Sequence, residues 1–188
     1  MARPTLFFDL GSPYAYLAVA RAEGVLGEEP DLVPVLLGAL FARRGHGSWA
    51  DTDARAAQMA EVERRAAAYG LPPVRWPDGW PRNGLPAQRA ATWARAQGAG
   101  PAFARAAFAR AFVRGEPLDD LDVLASAAAE AGLPAARLPD ALADQEVKDA
   151  LRAATDAAWE LGVRGIPTLR TGDDRLLFGD DRLDEAAG

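Results

Sequence analysis

The spacing of apolar residues changes period along this chain. Leu6–Asp9 is a short apolar run with Phe7 and Phe8 at its centre, closed by Gly11 and Pro13. Such a run reads as a buried strand that stops at a turn. From Ser12 to Leu26 the period becomes helical, with Tyr14, Leu17, Ala18, Arg21 and Val25 three or four apart. Pro13 suits the first helical position, whose N–H has no partner inside the helix. Gly24 and Gly27 mark the helix end. Asp31–Leu37 alternates and then runs apolar, which predicts a second strand. Pro34 within it points to a sheet edge or a bulge, because proline has no N–H for a ladder. Strand, helix, strand predicts a parallel βαβ unit.

From Gly38 to about Thr155 the pattern is almost wholly helical. A short helical turn over Gly38–Arg44 and a loop over His46–Trp49 lead into a helix over Asp51–Tyr69. Asp51 and Asp53 are its candidate caps, and Gly70 with Pro72 and Pro73 stops it. Val74–Asn83 is a proline-rich loop. Helices follow over Leu85–Gln97, Pro101–Arg114, Leu121–Ala131, Ala135–Ala141 and Gln145–Leu161. Strand character returns over Arg164–Leu169 and Leu176–Phe178, joined as a hairpin through Gly172, Asp173 and Asp174. Asp180–Ala187 can start a last helix capped by Asp180. Strands lie at the two ends, so one sheet forms only if the ends meet. The expectation is an α/β protein with residues 1–38 and 156–188 as one discontinuous domain. Residues 39–155 would then be an inserted all-helical domain.

Composition narrows the chemistry. Apolar residues make up 49% of the 188, enough for a real core and too many for a disordered chain. The net charge of −6 argues against a nucleic-acid or anionic-membrane surface. With no cysteine, a disulfide, a thiolate metal site and a cysteine nucleophile are excluded. A single histidine, His46, excludes a multi-histidine metal site and makes a Ser-His-Asp triad poor. No apolar run approaches the roughly 20 residues that span a bilayer. The amino terminus reads as the first strand rather than a signal peptide, and we expect a cytoplasmic protein. The abundance of Ala, Arg and Gly points to a GC-rich bacterial genome.

Ser12 is the first candidate for chemistry. As an N-cap it sits at the positive end of the helix dipole, among free N–H groups where an anion is welcome. It can equally be a cap and nothing more. The run F-x-D-x-x-S-P-Y-A-Y-L, from Phe7 to Leu17, resembles the amino-terminal signature of the 2-hydroxychromene-2-carboxylate isomerases. These are relatives of kappa-class glutathione transferases and, more distantly, of DsbA disulfide oxidoreductases. All have a thioredoxin-like fold with a helical insertion. Where DsbA-like members carry Cys-x-x-Cys, this chain reads Ser12-Pro13-Tyr14-Ala15, so it cannot cycle a disulfide of its own.

Two further segments carry the resemblance. Gly165-Ile166-Pro167-Thr168 is similar to the cis-proline loop of thioredoxin-fold proteins. The resemblance implies a cis Ile166–Pro167 bond facing the first helix, with Ile166 offering its backbone to the cysteinyl part of glutathione. Phe178-Gly179-Asp180-Asp181-Arg182-Leu183 resembles the family's F-W-G-x-D-R-L motif, which implies that it holds the γ-glutamyl end. Asp181 would accept from the ammonium, and N–H groups near Gly179 and Asp180 would take the carboxylate. Read without the resemblance, both acids simply suit a first helical turn. Weaker matches make Pro13, Tyr14, Arg43, His46, Arg55 and Asn83 candidate substrate contacts. Asn83 reads equally as a turn or cap residue. The Trp76–Trp80 loop can stack on an aromatic ring or pack in the core.

The implied activity is glutathione-dependent cis-trans isomerisation of a 2-hydroxychromene-2-carboxylate-like aromatic acid, with Ser12 stabilising the glutathione thiolate. A kappa-like transferase and a non-catalytic thioredoxin-like module are the alternatives. Dimerisation is usual among the kappa-like relatives, so a homodimer is a further expectation.

Overall fold

The structure, a computed structural model, describes residues 2–186. Four strands form one mixed sheet in the order β2-β1-β3-β4. β1 (Thr5–Phe8) pairs in parallel with β2 (Asp31–Pro34), Phe8 lying beside Pro34. On its other side β1 pairs antiparallel with β3 (Thr168–Arg170), Phe7 opposite Thr168. β4 (Leu176–Phe178) pairs antiparallel with β3 to complete the hairpin. The two ends of the chain therefore share one sheet. Pro34 sits on the outermost strand, where a missing N–H breaks no inner ladder. It also ends that strand, so β2 is shorter than the alternation to Leu37 predicts.

Helix α1 (Pro13–Leu26) connects β1 to β2. It starts with Pro13 at its first turn and closes on Gly27, whose φ is +70° and whose N–H donates to Glu23 O at 3.0 Å. The helices between the strands are α2 (Leu37–Arg44), α3 (Arg55–Ala68), α4 (Leu85–Ala96), α5 (Gly100–Ala109), α6 (Leu121–Glu130), α7 (Leu138–Ala143) and α8 (Gln145–Glu160). α3 begins later than the caps Asp51 and Asp53 imply. Residues Trp49–Asp51 instead form a short 3₁₀ turn capped by Ser48, and Ala54 precedes α3 with no side-chain cap. A boundary between residues 155 and 156 falls inside α8.

α5 continues as a wider π turn over Arg110–Arg114. The carbonyl of Phe112 is freed there and accepts from Arg75 N–H at 2.8 Å, tying in the proline-rich loop. The last segment, Asp180–Ala186, is a 3₁₀ helix rather than the α-helix expected over Asp180–Ala187. Ala187 lies outside the described residues.

The core runs through both parts of the chain. Phe8 of β1, Tyr16 of α1 and Phe108 of α5 meet Phe112 in one aromatic cluster, with ring centroids 5.6–6.3 Å apart. The helical segment is thus packed into the sheet's own core. The consequence for function is local: the C-terminal end of β1, the start of α1 and the start of α2 come together at one end of the sheet.

Candidate active site

The strand–turn–helix forms as the sequence predicts. Ser12 has extended backbone angles (φ −92°, ψ 116°), and its Oγ accepts from Ala15 N–H at 3.2 Å. Ser12 is 5% exposed. A hydroxyl has one proton to donate besides its lone pairs. Among the described residues no hydrogen bond takes that proton. A helix start with an idle O–H favours an anion there.

Ser12 lines a cleft of about 630 Å³. One wall is the turn Asp9–Pro13; another is α2 with the loop after it, including Leu37, Phe41 and His46; Trp49, Trp80 and Arg82 close the rest. A groove of about 720 Å³ runs elsewhere, past Pro34 between α4, α7 and α8, and holds none of the candidate binding or catalytic residues named above.

Beneath the turn lies Asp9, 8% exposed. Its Oδ1 accepts from Gly11 N–H at 2.8 Å and its Oδ2 from Leu37 N–H at 2.9 Å. Burial pushes its carboxyl up to about 6, against the pull of those two hydrogen bonds. A raised folded-state value means that the native protein holds the proton more tightly than the unfolded chain does. Stability from this group is therefore lost as pH rises through about 4 to 6. The shift corresponds to about 3 kcal/mol at 1.36 kcal/mol per unit. Asp9→Asn is expected to gain on the wild type by about that amount between pH 4 and pH 7, read by urea denaturation at both values. An unchanged difference would mean that Asp9 titrates normally.

Gln88 of α4, fully buried, braces the same region. Its Oε1 accepts from Leu10 N–H at 2.9 Å, and its Nε2 donates to Val35 O at 2.7 Å and Phe8 O at 3.3 Å.

The cis-proline expectation is met: the Ile166–Pro167 peptide is cis. Pro167 immediately precedes Thr168, and because β3 runs antiparallel to β1 it lies beyond the Phe7–Thr168 pair, at the end of the sheet where α1 starts. Its carbonyl accepts from Gly179 N–H at 3.0 Å, so that donor is engaged within the fold. Gly179 has φ +113°, a backbone conformation that residues with a side chain rarely adopt, so glycine is favoured there. Asp180 points inward. Arg65 Nη1 reaches its Oδ1 at 2.9 Å and Tyr69 O–H donates to its Oδ2 at 2.9 Å. Desolvation pushes the Asp180 carboxyl up, while Tyr69 and Arg65 pull it down. Asp181 is exposed, 3.3 Å from Arg65. Of the two acids, Asp181 is the one turned to solvent.

The other sequence candidates are spread out. Tyr14 donates to Gln58 Oε1 at 2.6 Å and stands edge-on to Trp49. Arg43 pairs with Asp156 on α8, and Arg44 donates to Arg164 O, so both lean on the far end of the chain. Arg55 donates to Trp80 O. Asn83 Oδ1 accepts from Leu85 N–H at 3.1 Å, the capping role that the sequence left open. Trp80 is buried and its Nε1 donates to Gly11 O at 3.3 Å, so this indole packs while also lining the cleft. His46 lines the cleft and is exposed.

Sequence reasoning misses Asp9, Arg82 and Gln88. Arg82 is the guanidinium on the cleft, held by Asp119 at 2.7 Å. Only its place in the Trp80-Pro81-Arg82-Asn83 run hints at it.

The chain's family follows from comparison with known proteins. A model of the DSBA-like thioredoxin domain matches residues 5–188. The chain belongs to the DSBA-like thioredoxin domain family. Over 190 aligned residues it is 30% identical to a 2-hydroxychromene-2-carboxylate isomerase of Sphingobium xenophagum, covering 95% of this chain and 92% of that protein. Among solved structures, a 2-hydroxychromene-2-carboxylate isomerase superposes with a TM-score of 0.86 at 22% identity, over 97% of this chain and 91% of the other. The cytosolic disulfide reductase DsbM of Pseudomonas aeruginosa, solved with GSH, superposes with a TM-score of 0.69 at 19% identity, over 98% and 94%. The relative at 30% identity is an enzyme, an isomerase, and the solved structures share this chain's fold. The chain's thioredoxin-like fold carries a helical insertion between β2 and β3. Among the described residues no group of side chains could hold a metal ion, and no helix is long and apolar enough to cross a membrane.

Proposed function

We propose that this protein is a glutathione-dependent cis-trans isomerase of aromatic acids related to 2-hydroxychromene-2-carboxylate. The observation that carries the reading is the buried Ser12 hydroxyl, which caps α1 and keeps its proton free to donate into the cleft. In a chain without cysteine, a sulfur at this place has to come from a diffusible thiol. Bound there, glutathione would supply a thiolate that adds to the conjugated acid and leaves again after the intervening bond has rotated.

The chain's residues fit that role. A free thiol has a pKa of about 8.5. Lowering it by about two units needs roughly 2.7 kcal/mol of preference for the anion. One hydrogen bond to a charge gives about 1.5–3 kcal/mol and a helix start adds up to about 1. Ser12 and the α1 dipole therefore suffice without a cationic side chain. Ile166 and Pro167 would hold the cysteinyl portion, and Asp181 would face the ammonium. With Arg43 and Arg44 drawn to α8 and Arg164, Arg82 on the cleft is the cation best placed for the substrate carboxylate. The reduced thiol that this chemistry needs suits a cytoplasmic setting.

Titration calorimetry tests the binding step: glutathione is expected to bind at millimolar concentration or below. No heat at that concentration would leave only a non-catalytic module. Turnover of a hydroxychromene acid with the thiol recovered is the expected activity. Accumulation of a conjugate with chlorodinitrobenzene instead would identify a kappa-like transferase.

A further inference from the structure

The two main walls of the cleft belong to different elements, and one side chain joins them. The turn into α1 carries Ser12. α2 and its following loop carry Leu37, Phe41 and His46 on the opposite side. α2 lacks a cap of its own: its N-cap residue, Leu36, has no side-chain hydrogen bond to give. The missing acceptor comes from across the cleft floor. Asp9 Oδ2 takes Leu37 N–H at 2.9 Å while Oδ1 of the same carboxylate takes Gly11 N–H, one residue before Ser12, at 2.8 Å. Ser12 N–H itself donates to Asp9 O at 2.9 Å.

We propose that Asp9 is a positioning residue whose ionised carboxylate pins the Ser12 turn to the start of α2, and whose protonation releases one of the two walls. The inference rests on the thiol-site reading only for its effect on turnover; the tie itself stands on the geometry. An ionised carboxylate offers strong acceptors on both oxygens. Protonated, one oxygen becomes a hydroxyl, and either Gly11 N–H or Leu37 N–H loses a good partner. Asparagine has the same defect at every pH. A buried carboxylate that costs stability above pH 6 is poorly explained as a neutral spacer; it is what a functional tie looks like.

Its surroundings leave few competing titrations. Around the carboxylate, the turn offers Gly11 and Ser12, α2 offers Leu37, and α4 with the residue before it offers Gln88 and Gly84, all uncharged. The charged or titratable groups on the same cleft are His46, Asp51 and Arg82. Substitution of His46 by glutamine is therefore included as a control.

The first measurement needs no thiol and no variant. In ¹H–¹⁵N spectra of the free protein, the Gly11 and Leu37 amides are expected to titrate together with a midpoint of about 6. In Asp9→Asn that joint titration is absent, and in His46→Gln it persists. Separate midpoints, or none, would overturn the proposal. The second measurement is kcat/KM for glutathione against pH. The wild type is expected to fall on the acid side with the steepness of two ionisations, the thiol and Asp9. Asp9→Asn is expected to fall with the steepness of one and to sit roughly tenfold lower on the plateau, as for a slightly misplaced site.

Leu37→Pro removes the α2 donor at a position where proline fits: the first residue of a helix, after the extended Leu36. Losing a hydrogen bond that favours the charged form moves the Asp9 limb to higher pH. An unchanged limb in Leu37→Pro, or wild-type steepness in Asp9→Asn, would sink the tie. If the wild type neither binds nor uses glutathione, the thiol-site reading fails, and the amide titration still decides the role of Asp9.

Discussion

Ser12→Ala is expected to lower thiol-dependent turnover by about 3- to 25-fold at neutral pH. The reasoning starts from one hydrogen bond. A hydroxyl donating to an anion contributes about 1.5–3 kcal/mol. At 1.36 kcal/mol per pK unit, its loss raises the pKa of a bound thiol by roughly one to two units. The dipole of α1 remains, so activity is not abolished. The deficit should shrink as pH rises, because a high enough pH ionises the thiol without help. Because the protein has no cysteine, no thiolate of its own contributes, and the bound thiolate can be followed against pH as an ultraviolet difference from the thiol-free protein. The alanine variant also loses an α1 cap worth about 1 kcal/mol. A modest drop in Tm is therefore expected and must be measured beside the rate. An equal thiolate fraction in wild type and variant at every pH would remove Ser12 from the chemistry and leave it as a cap.

Gln88→Ala is expected to carry the largest stability loss, about 4 kcal/mol. Gln88 is completely buried and makes three hydrogen bonds to backbone groups. Truncation leaves Leu10 N–H and Val35 O without their side-chain partner. Each orphaned buried group costs about 1–3 kcal/mol. Phe8 O suffers less, since Val35 N–H also donates to it at 2.9 Å. Against a typical total of 5–15 kcal/mol, the loss is severe. Urea denaturation reads it directly. Because Gln88 holds the ends of β1 and β2, the variant should also bind glutathione more weakly. A loss below about 1 kcal/mol would mean that water replaces the amide.

The sheet ends were legible because their signals are local. Phe7 and Phe8 before Gly11, Pro13 opening a helix, and Pro34 marking an edge each constrain the backbone within a few residues. The order of the helices was legible for the same reason. Gln88 was not, because one polar residue in an alanine-rich helix looks like a solvated position. Only the long-range approach of Leu10 and Val35 makes it a brace. Arg65 reads as an ordinary charge on α3, yet it crosses to Asp180 more than a hundred residues away. Asp9 is visible as the end of a strand, while its tie to Leu37 depends on how α2 is placed. The late start of α3 has a similar origin: Ser48 and Thr52 make their own short turns first, Thr52 accepting from Ala54 N–H at 3.3 Å.

The position of β1 between β2 and β3 has a consequence for how the molecule is made. While the chain is being synthesised, β1 and β2 emerge early and can pair. The partner for the other side of β1, beginning at Thr168, leaves the ribosome only after every helix between them. Until then the central strand has one bare edge. Rapid, local helix formation fills the interval, and the slow event is the final docking of the β3–β4 hairpin. Nascent chains halted before Thr168 should accordingly be the species that chaperones hold.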